Sequence, residues 1–193
     1  MPLPPSEPRH ALHRRVIELN GYGRLDGLYD IEAHMVDTRT VPITLGDARY
    51  VLPGEPIHDM YIRLVVNAGL DVIDVQSCID ASPFPICGEA TRALQSLKGL
   101  RIGPGWSAAI RERLGGRKGC THLAELLSPL ATVAIQTLWQ VRETQPVPTD
   151  ATGKPRKIDS CFAYSSDGDV VRRRWPEHYD GPEIAREKEQ PRR

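Results

Sequence analysis

The stretch from residue 27 to residue 38 constrains the fold most, because its polar and apolar residues alternate. The apolar positions are Tyr29, Ile31, Ala33 and Met35. The polar positions between them are Asp30, Glu32 and His34. A period of two places alternate side chains on opposite faces of a β-strand. The segment therefore predicts a strand with one face in a core and the other face carrying charge.

Two further runs predict that this strand belongs to an antiparallel sheet. From His58 onward, alternate residues of the segment 57–67 place apolar side chains on one face, and Ala68 and Gly69 can turn the chain back into residues 70–80. These two runs predict a β-hairpin. A weaker strand over residues 14–19 precedes them, and the glycine-containing residues 20–23 predict the turn that follows it. The sheet is expected to have three or four strands.

The second half of the chain has the pattern of helices. Residues 87–97 and 106–114 predict two helices that end at glycines. Residues 121–142 predict the longest helix, since their leucines, valines and alanines recur on one amphipathic face. Pro129 interrupts this segment, and Ser128 before it is a good N-cap. The segment is therefore either two abutting helices or one helix kinked at Pro129.

The end of the patterned region predicts a C-terminal β-hairpin. Residues 161–164 and 169–175 have the composition of short strands, and a Ser-Ser-Asp-Gly turn lies between them. Strands first, helices next and a hairpin last predict an α+β fold. In that fold an antiparallel sheet carries its helices packed on one face.

Composition predicts one globular domain over residues 13–180. The 193 residues are 40% hydrophobic, and 25 basic side chains balance 25 acidic ones, so nothing indicates a nucleic-acid partner. Proline-rich residues 1–12 predict a flexible arm, and residues 181–193 predict a charged flexible tail. The sequence contains no membrane span and no signal peptide, which predicts a cytoplasmic protein. Its four cysteines are expected to be thiols or ligands rather than disulfides.

The loop before the longest predicted helix is the first candidate site. It reads Gly-Gly-Arg-Lys-Gly-Cys-Thr-His over residues 115–122. Free amide groups and the positive end of the helix dipole lower the pKa of a cysteine there and attract anions. Cys120 is thus the best candidate thiolate, and His122 is a metal ligand, a base or a solvated first-turn residue. The alternative is an ordinary helix cap at Thr121.

Further candidates lie on the strands. His58 is either a core histidine or a base or ligand that points into a cavity, and Asp59 follows it. His34 shares its face with Asp30 and Glu32. That face is either solvated or, if covered by helices, a cluster suited to proton transfer or metal binding. Cys161, in an Asp-Ser-Cys sequence, could bring another sulfur to the same place.

Four motifs in this order resemble a family of bacterial proteins catalogued as a domain of unknown function. They are Gly-Arg-Leu-Asp-Gly-Leu-Tyr-Asp-Ile-Glu-Ala (23–33), Pro-Ile-His-Asp-Met (56–60), Gly-Cys-Thr-His-Leu (119–123) and Asp-Ser-Cys (159–161). The resemblance extends over about residues 12 to 180. It implies that the polar segment from Asp26 to His34, together with His58, Cys120 and His122, belongs to shared motifs, and it favours one joint site. It implies no established reaction.

Together the candidates predict a small-molecule enzyme of bacterial catabolism, a lyase or a hydrolase, with a pocket between the polar face of the sheet and the start of the helix at Thr121. His58 or Asp30 would be the general base, with Glu32 and Asp59 as further acid or base candidates. A divalent metal such as zinc would be bound by Cys120 and His122, with His34 and Cys161 as additional ligands. A lyase that releases a small carbonyl fragment needs no organic cofactor, and the sequence has no nucleotide-binding glycine motif.

Two alternatives from other classes remain open. The first is an iron–sulfur or sulfur carrier, in which Cys87, Cys120 and Cys161 converge. The second is a non-catalytic binding module. Any of the three could form a homo-oligomer.

Overall fold

A computed structural model describes residues 3–46, 49–144 and 146–182. Its contacts divide the chain into two compact units, Met1–Arg142 and Glu143–Arg193, and each is described by itself. The single domain over residues 13–180 stays a prediction. Residues 3–12 of the predicted arm are exposed and contain neither helix nor strand. The predicted tail lies outside the described residues except for residues 181 and 182.

The first unit is built on a four-stranded antiparallel sheet with the strand order β1-β2-β5-β6. Its strands are β1 (His13–Gly23), β2 (Tyr29–Arg39), β5 (Pro56–Val66) and β6 (Val72–Ala81). A separate small hairpin of β3 (Ile43–Leu45) and β4 (Arg49–Val51) connects β2 to β5. The predicted antiparallel sheet is confirmed, with four strands.

The two faces of this sheet differ because of the period-two patterns of β2 and β5. The inner face carries the buried apolar side chains, among them Ile31, Met35, Met60 and Ile62. The outer face carries the alternate polar residues, such as His34 and Arg63. Cross-strand pairing places Met35 beside Met60 and His34 beside Tyr61. Register is fixed because a slip of one residue would turn every apolar side chain out of the core.

The predicted turn at residues 20–23 is wrong, because these residues are the end of β1. The chain turns instead at residues 24–28, where the Arg24 and Leu28 backbones are hydrogen-bonded and Gly27 has a φ of 84°. Gly21 serves a different purpose. A Cβ built on it would lie 1.8 Å from the Thr137 side-chain oxygen. The glycine lets a helix approach the strand closely.

The helices pack on the inner face, as predicted. A 3₁₀ helix (Pro85–Leu97) contacts β6, and α2 (Thr121–Thr137) contacts β1, β2 and β5. Before α2 lies α1 (Trp106–Leu114), whose bounds agree with the prediction. After it comes the short α3 (Trp139–Glu143). Among the described residues, no helix is both long enough and apolar enough to cross a membrane.

Pro129 lies inside α2, which is a single helix rather than two. The break in the predicted segment 121–142 lies instead after Thr137, where α2 ends, and not at Pro129. The buried residues of α2 are Leu123, Leu126, Leu127, Leu130 and Ala134. These side chains complete the core over the inner face of the sheet.

The predicted C-terminal hairpin is wrong. The second unit instead contains a 3₁₀ turn at Phe162–Tyr164, the helix α4 (Asp169–Arg174) and another 3₁₀ turn at Pro176–His178. Asp169 begins α4, and the three arginines 172–174 occupy its last turn. This order of charges complements the helix dipole, and Arg172 also pairs with Asp169 at 2.7 Å. The β-branched residues Val170 and Val171 favour a strand, which is why the sequence predicted one here.

Candidate functional site

Asp37 lies near the C-terminal end of β2, and its side chain is on the inner face of the sheet, which is otherwise apolar. Ile31, Ala33 and Met35 precede it on that face, and its side chain is 2% exposed. An ionised carboxylate in such a place is costly unless it is paired and hydrogen-bonded. Asp37 must therefore be surrounded by donors.

Four N–H groups supply these hydrogen bonds. Arg15 donates from Nε to Oδ1 at 2.8 Å and from a terminal nitrogen to Oδ2 at 2.7 Å. His13 Nε2 donates to Oδ1 and His58 Nδ1 donates to Oδ2, each at 3.0 Å. Burial acts to raise the pKa of Asp37, but the hydrogen bonds and charge of Arg15 and the bond from His58 outweigh it. The pKa falls to about 2, so the carboxylate is ionised at neutral pH.

His58 lies directly across from Asp37 in the β2–β5 pairing and is 9% exposed. Because the Asp37 carboxylate is ionised, Nδ1 of His58 must be the donor in their hydrogen bond. The lone pair of His58 is therefore on Nε2, to which no described residue hydrogen-bonds. Burial lowers the pKa of His58, and the charge of His122 lowers it further, against the opposing effect of Asp37.

The Gly-Cys-Thr-His motif brings a second histidine against this group. His122 is the second residue of α2, and the centroid of its ring lies 4.0 Å from that of His58 at an interplanar angle of 39°. Cys120 immediately precedes the helix, and its Sγ lies 3.8 Å from His122 Nδ1, within hydrogen-bonding distance for sulfur. The inner-face cluster consists of Asp37, His58 and His122, with Cys120 attached through His122.

The glycines of this loop explain how α2 can begin at that point. A Cβ on Gly115 would lie 2.3 Å from the Arg111 carbonyl oxygen, and one on Gly119 would lie 3.0 Å from the Leu114 oxygen. The chain therefore folds back against the end of α1 along a path that side chains would obstruct. This tight return directs the start of α2 at His58.

The inner-face cluster could hold a metal ion. Asp37, His58 and His122 each offer a ligand atom within 4.8 Å of the others. Two ligands bound to zinc at about 2.1 Å lie at most about 4.2 Å apart, so the spacing of these atoms is close to what a zinc site requires. The acceptor directions of Asp37 are already used by four N–H groups. The histidine nitrogens are therefore the better ligands, and Asp37 is better suited to orienting His58.

A cavity of about 240 Å³ lies beside His58. His13, Arg15, Asp37, Ile57 and Pro83 contribute to its walls together with His58 itself. A small molecule in this space would meet an imidazole and a guanidinium. A ligand in the cavity would therefore lie against Asp37 and His58, whereas His122 does not contribute to its walls.

The other sequence candidates on the sheet lie on its outer face. His34 Nε2 donates to Asp59 Oδ1 at 2.7 Å, and the His34 ring stacks on Tyr61 with centroids 4.0 Å apart. Glu32 accepts a hydrogen bond from Arg63 at 2.6 Å, and Asp30 pairs with Arg24 at 3.3 Å.

Neighbouring residues of one strand point to opposite faces, so Asp59 is separated from His58 although they are adjacent in sequence. The predicted pocket between the polar sheet face and the start of α2 does not form within the first unit, because α2 packs on the inner face. A wider groove of about 570 Å³, lined by Glu32, His34, Tyr61 and Arg63 among others, occupies the outer face. Any role of Asp30, Glu32, His34 and Asp59 in catalysis or metal binding stays a prediction.

The remaining sulfur candidates stay predictions as well. Cys161 belongs to the second unit, where it is exposed and precedes the 3₁₀ turn at Phe162–Tyr164. Cys87 lies half-buried in the 3₁₀ helix of the first unit. None of the four cysteines is paired in a disulfide.

Sequence reasoning missed Asp37, Arg15 and His13. A usable signal was present, because Asp37 continues the apolar positions of β2 in the same register and a carboxylate there demands partners. Arg15 and His13 gave no comparable signal. Their positions face Asp37 only because β1 pairs with β2 in the observed register, His13 opposite Arg39 and Arg15 opposite Asp37.

A comparison with protein families gives one match, to a family described as a protein of unknown function (DUF2889), over residues 13–136. No curated protein and no solved structure matches the chain significantly. The match covers more than half of the chain, including β1, the inner-face cluster and nearly all of α2. The chain is therefore a member of the DUF2889 family.

Proposed function

We propose that this protein is a small-molecule catabolic enzyme, a lyase or a hydrolase, in which His58 is the general base. The observation that carries the proposal is the hydrogen bond from His58 Nδ1 to the buried Asp37 carboxylate at 3.0 Å. It leaves the lone pair of Nε2 free to accept a proton. The lowered pKa of His58 favours the neutral imidazole that such a base needs at neutral pH.

Asp37 and Arg15 would orient the base rather than take part in proton transfer. Asp37 has a pKa of about 2 and is fixed by the two bonds from Arg15, so it would stay ionised and stabilise the imidazolium that forms. In a lyase, a substrate hydroxyl would give its proton to His58 as the adjacent carbon–carbon bond breaks. A small carbonyl compound would leave, and the electron pair and a proton would go to the other fragment. In a hydrolase, His58 would deprotonate water.

A divalent metal such as zinc is a second candidate feature, favoured by the closeness of the ligand atoms of Asp37, His58 and His122. His58 Nε2 and a ring nitrogen of His122 would hold it, with Cys120 near enough to His122 to join after a side-chain rotation. When bound, zinc would polarise a carbonyl oxygen of the substrate. His58 cannot be a ligand through Nε2 and a base at once, so the two roles are separable by experiment.

Purified protein incubated with two substrate panels tests the base. Hydroxymethyl compounds with an acidic neighbouring carbon would report a lyase through released aldehyde, and activated esters would report a hydrolase. On the substrate that turns over, we expect His58→Ala to lower kcat/KM at least about 100-fold. The matched control is His34→Ala, which removes the other histidine paired with an aspartate and should change it less than about twofold. Loss of activity in His34→Ala with retention in His58→Ala would place the site on the outer face.

Metal binding is tested separately by titrating zinc chloride into protein freed of metal by chelator. His58→Ala and His122→Ala should each weaken zinc binding at least about tenfold, while Cys161→Ser should not. Equal binding by all three variants contradicts a site in the inner-face cluster. Iron together with acid-labile sulfide in anaerobically purified protein would instead favour the carrier alternative. A protein that binds small molecules without turning any over would be a binding module.

A further inference from the structure

Strand β1 leaves one long edge of the sheet unpaired. It is eleven residues long, its inner neighbour is β2, and within the described part of the first unit no residue hydrogen-bonds to its other edge. The opposite edge of the sheet is paired at its beginning, where the Leu100 carbonyl accepts a hydrogen bond from Val72 N–H and Gly99 N–H donates one to the Val72 carbonyl, each at 2.8 Å. An open edge of this length is a template for a further strand.

On the outer face of the free edge, two side chains of opposite charge lie at equal distances from Val16. Arg14 and Glu18 lie two residues before and two residues after Val16. Edges that avoid pairing commonly carry charges that would repel a second copy of the same edge. Here, an antiparallel copy centred on Val16 would place each Arg14 directly opposite the Glu18 of the other chain. The edge is therefore complementary to itself.

We infer that β1 pairs antiparallel with β1 of a second copy of this chain, about a two-fold axis at Val16. The pairing joins two four-stranded sheets into one eight-stranded sheet and satisfies the free backbone groups of both edges. Such an interface uses the same patch on both copies, as symmetric dimers do. Arg14 is available for it, since no described residue accepts a hydrogen bond from its side chain.

The inner face supports the same register. Ile17 is 43% exposed there although it lies on the core side of the sheet, because it is at the edge. In the proposed register Ile17 lies opposite Arg15 of the second copy and diagonally beside the second Ile17. Diagonal neighbours across strands are within reach of long side chains. The dimer would thus cover two exposed isoleucines.

The pairing would also reach the inner-face cluster. His13 and Arg15, which hold Asp37, are part of β1. A second strand would order β1 from its free side, and this would fix the donors that position the partner of His58.

Sedimentation velocity of the full chain at micromolar concentration tests the pairing. We expect a mass of roughly twice the 21.5 kDa of one chain. Arg14→Glu and Glu18→Arg each place like charges opposite one another twice, so each should weaken dimerisation at least about tenfold. The double charge exchange should restore it. Arg111→Glu on α1 is the control that changes the same charge elsewhere, and circular dichroism verifies that each variant is folded. A monomeric wild type, or a dimer insensitive to both reversals, overturns the inference.

Disulfide trapping tests the register. Val16 would face its own copy across the two-fold axis, so Val16→Cys in a Cys78→Ser, Cys161→Ser background should oxidise to a covalent dimer. Asn20→Cys in the same background should not, because its counterpart would lie too far along the strand. Covalent dimers from Asn20→Cys and none from Val16→Cys would refute this register.

Discussion

Asp37 links three strands through one buried carboxylate. It belongs to β2, receives His13 and Arg15 from β1, and receives His58 from β5. Removing one partner of a buried ion pair leaves the other charge buried without compensation. This costs more stability than replacing both partners with apolar residues. A single residue therefore couples the stability of the sheet to the orientation of the proposed base.

Replacement of Asp37 should show this coupling as a function of pH. At pH 7 we expect Asp37→Asn to lower the free energy of unfolding by about 2–4 kcal/mol. The pKa of Asp37 is lower in the folded state, so its ionisation stabilises the protein fully above about pH 4. This contribution of Asp37 ionisation to the free energy of unfolding, about 2 kcal/mol, is lost as pH falls towards 2. Denaturant unfolding measures the difference, which should shrink in acid. Asp59→Asn on the outer face is the control, and an equal loss there would contradict a special role for Asp37.

The titration of His58 should respond to its neighbour. Burial and the charge of His122 lower the pKa of His58 below the ordinary value of 6.5. His122→Ala removes the charge and admits water, so the pKa of His58 should rise towards 6.5. Proton NMR of the imidazole resonances in metal-free protein measures this change. His34→Ala should leave the His58 titration in place, and a His58 pKa that does not rise in His122→Ala would refute the contact.

At the scale of elements, the position of α2 depends on close approach to β1. Arg15 reaches Glu125 near the start of the helix at 3.0 Å, and Gly21 meets Thr137 at its end. The helix thus contacts the strand at two of its residues, Glu125 and Thr137, which are twelve positions apart. The Thr137 hydroxyl is in turn bonded to the Val133 carbonyl at 2.8 Å, so it cannot move aside without losing that bond.

A methyl group at Gly21 should therefore separate helix and strand. Gly21→Ala is expected to lower the free energy of unfolding by about 1–3 kcal/mol, the usual cost of overpacking. Gly23→Ala is the matched control on the same strand, since its Cβ would meet only a Tyr29 ring atom at 4.0 Å. Thermal and denaturant unfolding of both variants measures the contrast. Equal stability of the two variants would show that α2 does not pack as closely as described.

At the scale of the whole molecule, the two units differ in how much core they contain. The buried hydrophobic residues of the first unit include Ile31, Met35, Met60, Ile62 and Leu64 of the sheet and four leucines of α2. In the described part of the second unit they are Ile158 and Val171. The family match over residues 13–136 falls within the first unit.

Hydrogen exchange should separate the units by stability. Regions with little buried apolar surface open at lower free energy than a sheet core. We expect amides of α4 to exchange at least about tenfold faster, relative to their intrinsic rates, than amides at the centres of β2 and β5. Native-state exchange followed by mass spectrometry measures both. Equal protection in α4 and the central strands would mean that the second unit opens only with the first.

The sequence by itself determined the sheet and most of the helices, because alternation and amphipathic spacing are local consequences of which faces are buried. It also identified His58, Cys120 and His122 as candidate site residues. Residues 169–174 show its limit. Their valines favour a strand, while the order of Asp169 and the arginines favours a helix, and a segment of six residues offers too little pattern to decide.

Only the tertiary structure decided which polar residues meet. A period of two assigns His34 and Asp37 to opposite faces, but it does not say which face receives the start of α2. The helix covers the apolar face, since that is where burial of leucines is favourable, and so His122 arrives beside His58 and Asp37 rather than beside His34. The pairing of β1 with β2 then brings Arg15 to Asp37, and register across strands is information that no single strand contains.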